Sequence, residues 1–368
     1  MNASFERPSP WLRLAQVFKG FDGPLLLAVG LLATLGLVTM YSAGFDHGTR
    51  FVDHGRNMLI ALVVMFAAAQ VPPQKLQQLA VPLYVVGVLL LVLVALPGIG
   101  VTKKGATRWL SVGVTQIQPS EILKIAMPLM LAWWFQKREG QLRVADFLAA
   151  GALLLLPVGL VMKQPDLGTA LLILASGVYV IFFAGLSWRL VIPALALGAV
   201  AIVAIVVSAD AICEPGVRWP LLREYQQHRV CTLLDPTRDP LGKGFMQGTQ
   251  THLEFIPERT TDFIFAAFSE EFGLAGVVLL LLSFIFLIFR GLMIAAEAPT
   301  VFTRLLAGAV TLSFFTYAFV NMGMVSGILP VVGVPLPFIS YGGTAMVTLG
   351  LGLGILMSVA RSRRLMQS

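Results

Sequence analysis

The chain has 368 residues, of which 57% are hydrophobic and only 12% are charged, and its mean hydropathy is +0.84. A soluble domain of this size does not have this composition. The formal net charge of +7 does not indicate nucleic acid, because basic residues in a membrane protein set its topology and meet anionic lipid. The predicted fold class is therefore an all-α polytopic membrane protein.

Apolar runs long enough to cross the hydrocarbon core recur from end to end and predict ten membrane spans in a single domain, 1–368. An even number of spans places both termini on one side, and the distribution of Lys and Arg favours the cytoplasm. The long loop before the eighth span, 209–262, then faces outward. The predicted spans are Pro24–Ala43, Met58–Val71, Leu79–Pro97, Pro119–Phe135, Phe147–Met162, Leu167–Ala184, Leu190–Ser208, Phe263–Phe289, Leu305–Ile328 and Tyr341–Ala360.

An outward segment, Lys103–Gln118, precedes the fourth span and is mildly amphipathic, with Trp109 suited to the membrane interface. Glu121 and Lys124 follow at the start of that span. They are three residues apart on one helical face, so they can form an ion pair. A structural pair inside the bundle and a direct contact with substrate both remain open.

The tight turn Gln164–Thr169 joins the fifth and sixth predicted spans. Asp166 suits the N-cap of the sixth span, and it can alternatively face a polar cavity. Cys213 and Cys231 both fall in the long outward loop. An oxidising compartment would permit a disulfide there, but two cysteines give no framework signal, so their bonding stays open.

The stretch His252–Gly273 ends the longest polar segment and enters a long apolar run, with Asp262 at the junction. Glu258 and Arg259 lie just before it, and Glu270 lies about two turns into the run. Ionisable groups at membrane depth are costly unless they are paired or face water, which makes them functional candidates. An N-cap role for Asp262 is the alternative, and both roles can hold together.

Three prolines and several glycines in Gly327–Gly343 exclude a regular helix. Ser340, Gly342 and Gly343 open the tenth span, where free backbone N–H groups can meet a phosphate. A packed connecting loop is the alternative. The sequence contains no Walker motif, no nucleophile elbow and no Cys/His spacing typical of a metal site, so no metal site is predicted.

Together these stretches resemble one family, the shape, elongation, division and sporulation (SEDS) proteins, and are closest to its elongation members. The similarity covers nearly the whole chain. The matching stretches are KGATRW at Lys104–Trp109, QPSEILK at Gln118–Lys124, QPDLGT at Gln164–Thr169, LLDPTRDPLG at Leu233–Gly242, GTQTHLEFIPERTTDFIFA at Gly248–Ala266 and NMGMVSGILPVVGVPLPFISYGG at Asn321–Gly343.

The resemblance implies a peptidoglycan glycosyltransferase with ten membrane helices that polymerises lipid II on the outer face of the bacterial cytoplasmic membrane. The family's essential aspartate matches Asp262, and its Glu/Lys pair matches Glu121 and Lys124. The implied partners are lipid II, a class B penicillin-binding protein acting as transpeptidase, and other elongation-complex membrane proteins. Nucleic acid is not among them.

In that chemistry Asp262 acts as a general base on the acceptor sugar. The departing lipid diphosphate needs positive charge or hydrogen-bond donors, which Arg108, Arg259, Lys124 or a divalent cation such as Mg²⁺ can supply. The sequence does not choose among these, so the cofactor is unknown.

One departure from the family concerns the active-face loop. Members usually carry a further Gly-rich segment between a DPLG-like stretch and the following GKG, whereas Gly242 here runs directly into Lys243 and Gly244. Whether the shortened loop leaves the chain active is open. A non-catalytic scaffold for the transpeptidase is therefore kept as an alternative. A lipid II flippase is also kept, because ten helices, intramembrane charges and a broken segment before the tenth span would suit a transporter.

Overall fold

The computed structural model describes residues 21–45, 48–96, 99–103, 106–112, 115–185, 200, 241–248, 258 and 260–367. These residues form nine helices and one three-stranded sheet. Seven of the helices are long and apolar enough to cross a membrane, namely α1, α2, α3, α5, α7, α8 and α9. The helices are α1 (Gly23–Ala43), α2 (Arg50–Ala69), α3 (Pro73–Ala95), α4 (Pro119–Gln136), α5 (Val144–Met162), α6 (Leu167–Phe183), α7 (Ile264–Ala296), α8 (Val301–Val325) and α9 (Gly343–Gln367).

The prediction of a helical polytopic membrane protein is confirmed. Nine of the ten predicted spans coincide with helices. The other, Leu190–Ser208, lies outside the described residues except for residue 200, and most of the loop 209–262 also lies outside them. The total of ten spans, the single-domain boundaries and the cytoplasmic termini therefore stay predictions. Helix α4 is mostly buried and packs against α3, α6 and α8, so protein rather than lipid surrounds it.

Helix α2 begins at Arg50, two turns before the predicted start at Met58. The sequence boundary was wrong because it assumed that polar residues lie outside the membrane helix. Here His54 is fully buried, and the Arg50 guanidinium donates a hydrogen bond to the Thr260 hydroxyl. These polar side chains face other parts of the protein instead of lipid.

The outward segment before α4 forms an antiparallel sheet of β1 (Gly100–Lys103), β2 (Ala106–Val112) and β3 (Thr115–Ile117), in that order. Leu110 pairs with Gly100 on one side and Ile117 on the other. The amphipathic pattern did not predict this sheet, which adds three short strands to the mostly helical fold. The sheet fixes the position of Arg108 above the helices.

Helix α7 is interrupted at Gly273, whose φ of 59° and ψ of −156° are not helical. An interruption of this kind frees carbonyl groups from the helical hydrogen-bond pattern. The Glu270 and Glu271 carbonyls instead accept hydrogen bonds from Lys243 N at 2.9 Å and Gly244 N at 3.0 Å. The segment 241–248, where the loop shortening occurs, is thereby held against the kink.

Helices α2 and α9 approach closely along two glycines. A β-carbon added to Gly350 would lie 2.3 Å from the Ala61 carbonyl oxygen, and one added to Gly354 would lie 2.5 Å from the Met65 carbonyl oxygen. Small residues four apart allow membrane helices to bring their backbones together. This contact fixes α2 against α9, and both helices begin beside Asp262's turn.

We expect Gly350→Val to destabilise the protein by about 1–3 kcal/mol, because the added methyl groups force these helices apart. Gly159→Val is the matched control, since nothing lies within 4 Å of a β-carbon at that position. The measurement is the thermal unfolding midpoint in detergent. Equal midpoints for the two variants would contradict the close contact.

Candidate active site

Asp262 lies in a turn that precedes α7. The turn begins at Glu258, whose carbonyl accepts a hydrogen bond from Thr261 N at 3.0 Å. Helix α7 begins at Ile264 with Phe263 in the N-cap position. The N-cap interpretation of Asp262 is therefore wrong, because the chain places it one residue before the cap. Its carboxylate lies at the positive end of the helix dipole.

The amide of Asn321, on α8, holds this turn from inside the bundle. Asn321 is fully buried, and its Nδ2 donates to the Asp262 carbonyl at 3.0 Å and to the Val334 carbonyl at 2.7 Å. One side chain thus joins the turn before α7 to the non-helical segment between α8 and α9. It sets the backbone position of Asp262 directly.

The non-helical segment 326–342 also pairs with the turn. The buried Ser340 hydroxyl donates to the Thr261 carbonyl at 2.7 Å and accepts from Leu336 N at 2.8 Å. Tyr341 N donates to the Thr260 carbonyl at 2.8 Å. The Ser340 N–H donates to the Leu336 carbonyl at 2.9 Å, and the Ser340 hydroxyl helps to position the turn. Both contacts favour the packed-loop alternative for this residue.

The Asp262 carboxylate lies beside the backbone of Gly333. A β-carbon added to Gly333 would be 3.6 Å from Asp262 Oδ2, and the φ of Gly333 is +70°, which favours glycine. A β-carbon added to Gly168 would be 2.4 Å from the Val332 carbonyl oxygen. Residues 332–334 therefore lie between Asp262 and the turn that contains Asp166.

Asp166 caps α6, as the sequence predicted, and also binds two other groups. Its Oδ1 accepts from Thr169 N at 3.2 Å, while its Oδ2 accepts from Gln118 Nε2 at 3.2 Å. Arg108 Nη1 lies 3.6 Å from the same Oδ2, and Arg108 Nε donates to the Gln164 carbonyl at 3.1 Å. The Arg108 side chain is still 31% exposed, so it can meet an anion from solvent.

Glu121 and Lys124 form an ion pair with 2.7 Å between Lys124 Nζ and Glu121 Oε1. Thr348 donates to Glu121 Oε2 at 2.8 Å, and Nζ lies 5.5 Å from the centroid of the Tyr317 ring. The cavity beside the pair has a volume of about 30 Å³, which is space for water and not for a sugar. These contacts favour the structural alternative for the pair.

The remaining predicted site residues lie around the turn and the kink. Glu258 is exposed and accepts from the Thr261 hydroxyl at 3.2 Å, whereas Glu270 pairs with Lys243 at 2.8 Å beside the kink. The Gly342 carbonyl accepts from Met346 N at 3.1 Å, and Gly343 is the first residue of α9. Arg259 lies outside the described residues.

Sequence reasoning missed Asn321 and the contact of Arg50 with Thr260. Asn321 lay inside a predicted span, and an amide within an apolar helix is itself a signal of a polar partner. Arg50 precedes the predicted second span, Met58–Val71, so no contact with this turn was expected of it. Among the described residues no group of three His, Cys, Asp or Glu side chains could hold a metal ion.

The helices and the turn at Asp262 define an integral membrane protein with a carboxylate held at one end of a helical bundle. The sequence model of the cell cycle proteins FtsW, RodA and SpoVE matches residues 24–365. The chain belongs to this family.

The similarity of the chain to individual proteins supports this family assignment. The chain is 44% identical to peptidoglycan glycosyltransferase MrdB of Escherichia coli K12 over 361 residues, covering 93% of this chain and 94% of MrdB. A chain from a peptidoglycan synthase complex, solved in a study of coordinated polymerization and crosslinking, is 34% identical with a TM-score of 0.71, covering 94% of this chain and 99% of its own. The rod shape determining protein RodA of Thermus thermophilus is 29% identical with a TM-score of 0.71, covering 94% and 98%.

We expect Glu121→Gln and Lys124→Met each to lower the unfolding midpoint, because each leaves one charge of a buried pair without its partner. A double-mutant cycle should give a coupling of about 1–3 kcal/mol. The Asp53–Arg56 pair is the matched control, with the same spacing, 3.0 Å between its charged atoms and 65% exposure of the arginine. Its coupling should be below about 1 kcal/mol. Equal coupling in the two pairs would reject the buried role.

Proposed function

We propose that this chain is a peptidoglycan glycosyltransferase that polymerises lipid II at the outer face of the bacterial cytoplasmic membrane during cell elongation. The observation that carries the proposal is the position of the Asp262 carboxylate beside Gly333. Asn321 and Ser340 hold the backbone of the turn that contains Asp262. The 44% identity to a protein named peptidoglycan glycosyltransferase supports the activity.

Asp262 is the general base in this proposal. The acceptor's sugar 4-hydroxyl loses its proton to a carboxylate oxygen of Asp262 as the hydroxyl oxygen attacks the anomeric carbon of the donor. The bond from that carbon to the lipid diphosphate breaks, and the diphosphate leaves with the electron pair. A single displacement needs one base and no covalent enzyme intermediate. Such proton transfer typically contributes about 10²–10⁴ in rate.

The position of the base matters as much as its presence, because small misplacements of a catalytic group cost large factors in rate. Asn321 fixes the Asp262 main chain to the Val334 carbonyl, and Ser340 fixes the preceding residue. Gly333 presents no side chain to the carboxylate. We assign Asn321 and Ser340 as positioning residues, which hold the carboxylate where an acceptor sugar can approach it.

Arg108 is the described cation best placed to meet the leaving diphosphate. It lies across residues 332–334 from Asp262. Its guanidinium is oriented by Asp166 and by the Gln164 and Pro165 carbonyls, and the side chain stays 31% exposed. Charge-assisted hydrogen bonds from guanidinium to phosphate are strong and directional. Arg259 is a second cation that the sequence places next to this turn.

A class B penicillin-binding protein is the proposed partner, because the chain is similar to a subunit of a solved peptidoglycan synthase complex. No contact among the described residues specifically favours the flippase. Lys243 and Gly244, in the described part of the loop, bind the carbonyls at the kink in α7, the helix that follows Asp262, which weighs against a purely scaffolding role.

We expect Asp262→Asn to abolish lipid II polymerisation, a loss of at least about 10² in rate, because the amide cannot accept the proton. Asp53→Asn is the control, since it removes a carboxylate from the first turn of α2, which begins beside the same turn, without touching Asp262. Both variants should retain the wild-type unfolding midpoint and co-purify with the transpeptidase. Near wild-type polymer from Asp262→Asn would exclude the general-base role.

A further inference from the structure

A second cavity, of about 470 Å³, lies at the opposite end of the bundle from Asp262. Its walls come from the turn between α2 and α3, the turn between α7 and α8, and the last part of α9. Helices α2, α7 and α9 each begin near Asp262 and end at this cavity. Its volume falls within the range of about 300–1,000 Å³ that is typical of ligand sites.

Arg361 and Gln70 are two of the polar residues that line the cavity. Arg361 donates to Gln70 Oε1, and because a guanidinium only donates, the Gln70 amide must point its oxygen at Arg361. Gln70 Nε2 is then a buried donor with no acceptor among the described residues. Because Nε2 is closed off from solvent, Arg361 is the charged donor that the cavity presents to a ligand.

The rest of the lining has the character of a lipid-water boundary. Pro72 and Pro299 supply apolar surface, and no carboxylate is among the described residues that line the cavity. Lys75 and Arg304 are exposed on the same end of the bundle and add positive charge. Basic pockets between membrane helices at this depth are suited to anionic headgroups.

We propose that this cavity binds the phosphate-bearing headgroup of an anionic phospholipid in the leaflet opposite the Asp262 site. Arg361 donates to the phosphate oxygens, and Pro72 and Pro299 contact the glycerol and the upper acyl chains. If both termini are cytoplasmic, as proposed, the leaflet at this cavity is the cytoplasmic one. The rest of the proposal does not depend on that orientation. It does not depend on the proposed activity.

The experiment measures lipid binding to the purified full-length protein in neutral detergent after delipidation. Phosphatidylglycerol or phosphatidylcholine is added, and retained lipid and the unfolding midpoint are recorded. We expect wild-type protein to prefer phosphatidylglycerol and Arg361→Gln to lose about fivefold in that preference. Lys75→Gln, which removes the same charge from the same end but does not line the cavity, should keep the preference.

Gln74→Trp supplies an independent test, because Gln74 is exposed and lines the cavity, so a larger side chain blocks entry without disturbing the core. It should lose the preference with an unchanged lipid-free midpoint. Equal losses in Arg361→Gln and Lys75→Gln, or full binding by Gln74→Trp, would overturn the site. Equal stabilisation by inorganic phosphate would overturn the lipid assignment in favour of a free anion.

Discussion

The non-helical backbone of residues 326–342 is the constraint on which the described structure depends. Irregular backbone is tolerated at membrane depth only where protein covers it and satisfies its polar groups. Asn321 binds the Val334 carbonyl, and Ser340 binds Leu336 N from within the segment. A β-carbon added to Gly36 would lie 2.0 Å from the Phe338 carbonyl oxygen, so α1 also covers the segment closely. The same contacts that satisfy the segment fix Asp262.

This arrangement explains why one end of the bundle holds several polar clusters. The Asp262 turn, the Arg108–Asp166 cluster and the Glu121–Lys124 pair all lie at the starts of helices α4, α6 and α7. Residues 332–334 contact two of these clusters, so their relative positions depend on the same segment. At the other end, the cavity at Arg361 shares α2, α7 and α9 with the site but none of its residues. Chemistry and the proposed lipid binding are therefore separated by the length of the helices.

The sequence was sufficient for features that depend on local composition. Long apolar runs predicted the positions of the helices. A carboxylate at a polar-apolar junction made Asp262 a candidate functional residue, and three-residue spacing predicted that Glu121 and Lys124 can form an ion pair. It was insufficient where partners are distant along the chain. Asn321 binds the carbonyl of Asp262, and the sequence gives no local sign of which backbone group an interior amide will meet.

The other differences between the predicted and the observed elements also arise from contacts with other parts of the chain. The start of α2 was placed too late because Arg50 and His54 read as loop residues, although protein contacts satisfy or bury them in the helix. The sheet around Arg108 was missed because three short strands are stabilised by pairing with one another and not by their own composition. Only the folded chain shows which partners each residue finds.

The most direct test of the account is a double-mutant cycle between Asn321→Leu and Asp262→Asn, measured as the rate of lipid II polymerisation, with Ser313→Ala on the same helix as a control. If Asn321 acts by positioning Asp262, Asn321→Leu should cost about a hundredfold in the wild-type background and little in the Asp262→Asn background. The same loss in both backgrounds would show that Asn321 acts on the general fold and would contradict the account.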